Sequence, residues 1–193
     1  FFSSPLAGEG RVRGAFSTSP LQTHYIRTHA KRGFVVLLLG GYFHMFFFGK
    51  KSTVNVPKRV YDQIIDHAKE AYPHECCGVL VGNSMGARKV FDSHRANNTN
   101  TERANDRYVI DPKEINIIDK MARAEGLDIM GFYHSHPDHP DRPSQFDRDM
   151  GQPLYSYIIV SMNKGTEISV KSWMFTEDKE PFKEEAIKVI VEG

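Results

Sequence analysis

Cysteine is nearly absent from this chain, and the two that occur, Cys76 and Cys77, are neighbours. Adjacent cysteines do not bridge each other in ordinary disulfide geometry. A disulfide scaffold is therefore excluded, and a reducing, cytoplasmic location is expected. No apolar run reaches the roughly 20 residues of a membrane span. The longest, "FVVLLLGGYFHMFFFG" at 34–49, is broken by His44, and no small-residue cleavage site comes after it. No firm membrane association is expected. A basic stripe of the kind nucleic acid requires is missing too. The net charge is +1, but it is unevenly divided. Residues 1–56 carry seven Lys/Arg and one acid, Glu9, which leaves 18 basic and 23 acidic residues for the rest. The body is acidic, and no nucleic-acid partner is expected. Internal repeats are absent.

The N-terminal region differs in kind from the rest of the chain. Residues 1–33 are rich in Gly, Ser, Thr and Arg without a sustained period of either secondary structure, and the first residue is Phe. Translation is expected to begin near Met45. Residues 1–51 read as a tail outside the domain, and residues 52–193 as one domain with a core of its own.

Within the body, "PKRVYDQIIDHAKEAY" (57–72) has the stripe Val60, Ile64, Ile65, Ala68, Tyr72 of an amphipathic helix, opened by Pro57 and ended by Pro73. "CCGVLVG" (76–82) reads as a buried strand, and "ARKVFDSH" (87–94) as its hairpin partner. The polar stretch 95–107 reads as a loop, equally well one over a functional face or a plain surface loop, and "RYVI" (107–110) as a short strand. Asp111, Pro112 and Glu114 mark the start of a second helix that runs to Ala124 and is closed by Gly126. Strands are expected at 128–136, 155–162 and 167–175. Residues 181–193 suit either a helix or a strand. The order implies a mixed α/β domain, a sheet with helices packed on it.

The segment "HSHPDHPDRPSQFD" (134–147) concentrates the chemistry. His134 and His136 sit at the end of an expected strand, where residues two apart project to the same side. Ser144 and Asp147 have the spacing of a capped helix start. Taken singly, such pieces are more often a helix cap and surface histidines. Together, two imidazoles and one carboxylate make a three-ligand set for zinc with a fourth position open, the mark of a catalytic site. A base must still accept the proton of the activated water. Glu75 is the best candidate, because it opens a strand otherwise made of apolar residues. His139, in the proline-rich loop, and His74 are expected to be solvent-exposed, and Trp173 to be core. Cys76 and Cys77 alternate faces, with at least one in the core. A thiol protease would need an exposed, low-pKa thiolate and a partner histidine.

The spacing H-x-H-x7-S-x2-D, with "HECCGVLVG" upstream and "GFYHSHP", "RPSQFDRD" and "YSYIIVS" around it, resembles the JAMM (MPN+) metalloprotease family over roughly residues 54–176. The stand-alone bacterial members are the nearest in form. The resemblance implies the MPN/JAMM fold, a cytidine-deaminase-like architecture. It implies one Zn2+ per chain on His134, His136 and Asp147, Glu75 as general acid/base, and Ser144 steadying the oxyanion. It also implies a substrate: a ubiquitin-like or sulfur-carrier β-grasp protein, cut after its C-terminal Gly-Gly. Only seven residues lie between Asp147 and Tyr155, too few for the long insertion of ubiquitin-specific relatives.

Three other readings compete. A RadC-like protein of DNA metabolism shares the histidine and serine–aspartate spacing, but lacks the glutamate strand and fits an acidic body poorly. A non-catalytic MPN interaction module would have lost ligands, and every expected position is present here. A zinc hydrolase of smaller substrates differs only in what it cuts.

Overall fold

The computed structural model describes residues 25–26, 34–39, 42–47, 52–83, 87–177 and 180–191, with side chains from residue 52 onward. The chain divides into two compact units, Phe1–Lys50 and Lys51–Gly193. In the first, strands β1 (Tyr25–Ile26), β2 (Phe34–Leu39) and β3 (Tyr42–Phe47) form an antiparallel sheet in that order. The described part of the apolar run 34–49 is therefore two paired antiparallel strands, in which Leu39 lies opposite Tyr42. No helix among the described residues is long and apolar enough to cross a membrane.

The second unit is built on β4 (Thr53–Pro57), β5 (Cys77–Asn83), β6 (Lys89–Ala96), β7 (Asp128–Pro137), β8 (Ser156–Asn163), β9 (Glu167–Met174) and β10 (Lys183–Ile190). These close into a barrel in the order β10-β4-β6-β5-β7-β8-β9. β7 runs antiparallel to β5 and parallel to β8. The helices are α1 (Lys58–Ala71), α2 (Pro112–Ala124) and the short α3 (Gln145–Met150). α1 turns Val60, Ile64 and Ala68 inward, as its stripe predicts, while Ile65 and Tyr72 are only partly covered. α2 is capped by Asp111, whose carboxylate accepts from the Lys113 N–H at 2.8 Å, and it ends at Gly126 with φ +72°.

β5 is buried on both faces, which explains why it reads as an unbroken apolar run. Cys76 and Leu80 face the core beneath α1, with Val54, Val56, Met130, Tyr133 and Ile158. Cys77, Val79 and Val81 face the smaller core beneath α2, with Ile110 and Ile118. Both thiols are therefore core groups. The parallel pairing of β7 with β8 is tight at Gly131, where any side chain would collide with the Ser156 carbonyl.

Residues 107–110, expected as a strand, join no ladder. The C-terminal segment is a strand, pairing parallel with β4 and antiparallel with β9. Its apolar spacing suits helix or strand equally. Glu185 decides between them. Its side chain is buried and meets Arg88 Nε at 3.1 Å, and it accepts from the hydroxyls of Ser52 (2.8 Å), Ser156 (2.7 Å) and Ser172 (2.9 Å). These partners come from four separate stretches of chain, so no local pattern announces them.

Candidate functional site

The site is assembled where β7 ends. Alternation along the strand sends the imidazoles of His134 and His136 to one side, with their Nε2 atoms 3.0 Å apart. Ser135, between them, points the other way. Its Oγ accepts from the Cys76 N–H at 2.9 Å and its N–H donates to the Cys76 carbonyl at 3.1 Å. β7 is thereby tied to the residue directly after Glu75.

The proline-rich loop then carries the chain to α3. Asp138 adopts φ +56°; its carboxylate accepts from the Tyr72 hydroxyl at 3.0 Å and the Lys164 N–H at 2.7 Å. Asp141 contacts Lys171 at 3.4 Å and Ser169, and its carbonyl accepts from Trp173 Nε1 at 2.8 Å. Trp173 is half-buried rather than core, because its indole N–H needs this partner. His139 and His74 are exposed, as expected.

Ser144 caps α3 in a reciprocal box. Its Oγ accepts from the Asp147 N–H at 3.1 Å, and its own N–H donates to Asp147 Oδ2 at 2.7 Å. The Ser144 hydroxyl hydrogen also goes to Asp147 Oδ2, at 2.6 Å. The cap turns the carboxylate back toward β7, so that Asp147 Oδ1 lies 3.3 Å from His134 Nε2 and Oδ2 lies 3.5 Å from His136 Nε2.

These spacings provide a test for a metal. Zinc bonds of about 2.0–2.1 Å in tetrahedral geometry place neighbouring ligand atoms about 3.3 Å apart. The three separations here, 3.0, 3.3 and 3.5 Å, bracket that value. The tautomer of His136 also fits. Its Nδ1 lies 2.7 Å from the Pro140 carbonyl, which can only accept, so Nδ1 carries the hydrogen and Nε2 of the neutral ring offers its lone pair inward. His134 is fully buried; its Nδ1 has no hydrogen-bond partner among the described residues, and the Tyr108 ring stacks on it at 4.5 Å. His134, His136 and Asp147 thus form a group that can hold a metal ion.

The electrostatics agree with a donor set that favours a cation. Burial lowers the pKa of His134. Burial acts the same way on His136, but the Asp147 carboxylate, the Pro140 carbonyl and Glu75 outweigh it and raise its pKa. Burial alone would raise Asp147; instead the two imidazoles and Ser144 hold its carboxyl far below the usual range. Glu75 is 5% exposed, with Oε1 3.9 Å from His136 Nε2. Desolvation pushes its carboxyl up to about 8, where a group both takes and returns a proton near neutrality.

Two clefts flank the four groups. One, of about 250 Å³, has ionisable and hydroxyl side chains along its wall, those of Glu75, His136, Ser144, His139, Arg142 and Asp106. The other, of about 260 Å³, is largely apolar and includes Asp147, Tyr108, Phe132, Phe146, Tyr155 and Ile129. All five residues singled out by the sequence are brought together. Ser135 and Tyr108 were not foreseen, because serine and tyrosine in a strand or polar loop carry no spacing signal.

A closed mixed barrel with helices, bearing two imidazoles and a carboxylate beside a buried glutamate, defines a metallohydrolase-type centre. A family model of prokaryotic homologs of the JAB domain matches residues 57–176. The chain belongs to this family, and is a JAMM-type hydrolase of peptide or isopeptide bonds. Over 115 residues it is 40% identical to the desampylase of Haloferax volcanii, covering 57% of this chain and 81% of that protein. The solution structure of a Desulfitobacterium hafniense protein is similar, with TM-score 0.63 and 30% identity over 72% of this chain and 94% of that one. A Salinibacter ruber protein solved in solution has TM-score 0.55 and 36% identity over 70% and 91%.

Proposed function

We propose that the chain is a zinc-dependent (iso)peptidase that cuts after the C-terminal Gly-Gly of a ubiquitin-like or sulfur-carrier β-grasp protein, and that it works in the cytoplasm. The observation that carries this reading is the juxtaposition of three donors at tetrahedral spacing with a buried carboxylate, between two clefts. The Haloferax relative is a desampylase, an enzyme that removes a ubiquitin-like modifier, which supports a protein substrate of that kind. Buried, unpaired thiols agree with a reducing compartment.

His134, His136 and Asp147 would hold one zinc ion per chain. When bound there, zinc supplies Lewis acidity, which polarises a carbonyl and makes water a nucleophile near neutral pH. Glu75 takes the proton from the attacking water and returns it to the departing amine. The Asp147-walled apolar cleft receives the extended tail on the acyl side, and the cleft beside Glu75 receives the leaving group. Ser144 would steady the oxyanion by moving its single hydroxyl hydrogen off Asp147, whose Oδ2 keeps the Ser144 N–H.

Zinc content and cleavage, measured side by side for the parent chain and Glu75→Gln, test this reading. The substrate is a β-grasp carrier extended beyond its Gly-Gly. About one zinc in both, with cleavage only by the parent, is the expected result. Chains that bind no zinc would sink the metal centre, and zinc without cleavage of any such carrier would sink the substrate class.

A further inference from the structure

The loop 97–110 between β6 and α2 has no part in the proton transfers assigned to Glu75, yet it reaches both Glu75 and His134. Glu75 lies outside the sheet, because β5 begins only at Cys77. No strand ladder therefore holds its peptide groups, and the loop does so instead. The Glu75 N–H donates to the Ala104 carbonyl at 2.7 Å, and the Glu75 carbonyl accepts from Asn98 Nδ2 at 3.3 Å. At the far end of the same loop, the Tyr108 ring lies on the face of His134.

One side chain closes this loop. Asn98 Oδ1 accepts from the N–H groups of Asn100 (3.0 Å) and Val109 (3.1 Å). Its Nδ2 donates to the carbonyls of Arg107 (3.0 Å) and Glu75 (3.3 Å). The amide thus makes four bonds, two through each end, the full complement it offers. A flipped amide would face oxygen to carbonyls and NH2 to N–H groups, so the four partners define its orientation. Thr99 reinforces the closure, its N–H and its hydroxyl each donating to the Val109 carbonyl at 2.9 Å.

We propose that Asn98 is a positioning residue for Glu75: by closing the loop 98–109 it fixes the backbone from which the Glu75 carboxylate reaches the metal-binding side chains. The inference rests on Glu75 being the proton carrier of the reaction. That role is sensitive to small displacements, since a shift of about 1 Å in a reacting group costs about 100-fold in rate. Aspartate at position 98 keeps both accepted bonds but sets an anion against the carbonyls of Glu75 and Arg107. Serine is milder, shortening the side chain without adding charge.

The test uses the full, zinc-loaded chain with N98D and N98S, and reads kcat and KM on the Gly-Gly-extended carrier. It also reads zinc content, thermal midpoint and hydrogen exchange at the Glu75 amide. We expect kcat to fall by about 10- to 100-fold in N98D and less in N98S, with KM within about twofold. Zinc stays near one per chain, and the Glu75 amide exchanges at least about tenfold faster. Unchanged kcat in a variant whose Glu75 amide has loosened would overturn the proposal, as would unchanged exchange at that amide. If N98D does not fold, N98S decides by the same criteria. If the parent cleaves no carrier, the reading of the reaction fails, while the exchange measurement still decides whether Asn98 holds Glu75.

Discussion

Glu185 and Glu75 are both almost fully buried, at 1% and 5% exposure, in one small domain. Glu185 is surrounded: a guanidinium and three hydroxyls take up its oxygens, and each donor belongs to a different stretch of chain. Among the described residues Glu75 has no such shell. Its carboxylate meets His136 at 3.9 Å beside an open cleft, and desolvation raises its pKa to about 8. A buried charge with every lone pair engaged closes a barrel. A buried carboxyl whose oxygens are not taken up in this way remains able to move a proton.

Removing each carboxylate should separate the two roles. The largest effect is expected from Glu75→Gln, where kcat falls by about 10³-fold, within the range of general acid–base catalysis. Zinc content should hold and the thermal midpoint should stay level or rise, because a neutral amide removes the cost of ionising a poorly solvated acid. A lowered midpoint with kcat retained would reverse the contrast with Glu185. Glu185→Gln is expected to do the opposite, destabilising by about 3–5 kcal/mol in chemical denaturation by leaving the largely covered Arg88 without its anion. The kcat of the folded fraction should match the parent; loss of activity in fully folded protein would show that the barrel's far side is not merely structural.

Ser135→Ala lies between the two regions. It removes the acceptor for the Cys76 N–H, and about 1–1.5 kcal/mol of stability should be lost. The kcat should fall more than it does for Trp173→Phe, since Ser135 sets the separation of β5 from the histidine pair. Trp173→Phe removes the bond to the Asp141 carbonyl and is expected to show the smallest change, about 0.5–1 kcal/mol in the same denaturation experiment. A ranking of the two in the other order would place control of the site in the proline-rich loop.

What could be foreseen from sequence depended on the range of the interactions involved. α1, α2, β5 and the strand carrying the histidines were legible because period, caps and apolar runs are local signals. The pairing of Ser144 with Asp147 was legible for the same reason, being a helix start three residues long. The strand expected at 107–110 was not formed, because the amide of Asn98 and the hydroxyl of Thr99 take up the backbone groups that a ladder would need. Trp173 was misplaced by alternation alone, since its N–H answers to a carbonyl 32 residues away.

By itself the sequence determined the family, the identity of the three converging donors and the candidacy of Glu75, since residue type and spacing carry those directly. Only the tertiary structure decided that the last segment is a strand, that residues 34–39 and 42–47 pair as antiparallel strands, and that Glu75 is held by a loop rather than by the sheet. The reason is the same in each case. A buried polar group must find its partner wherever the chain brings one within about 3 Å, and that depends on closure of the barrel, which no local pattern records.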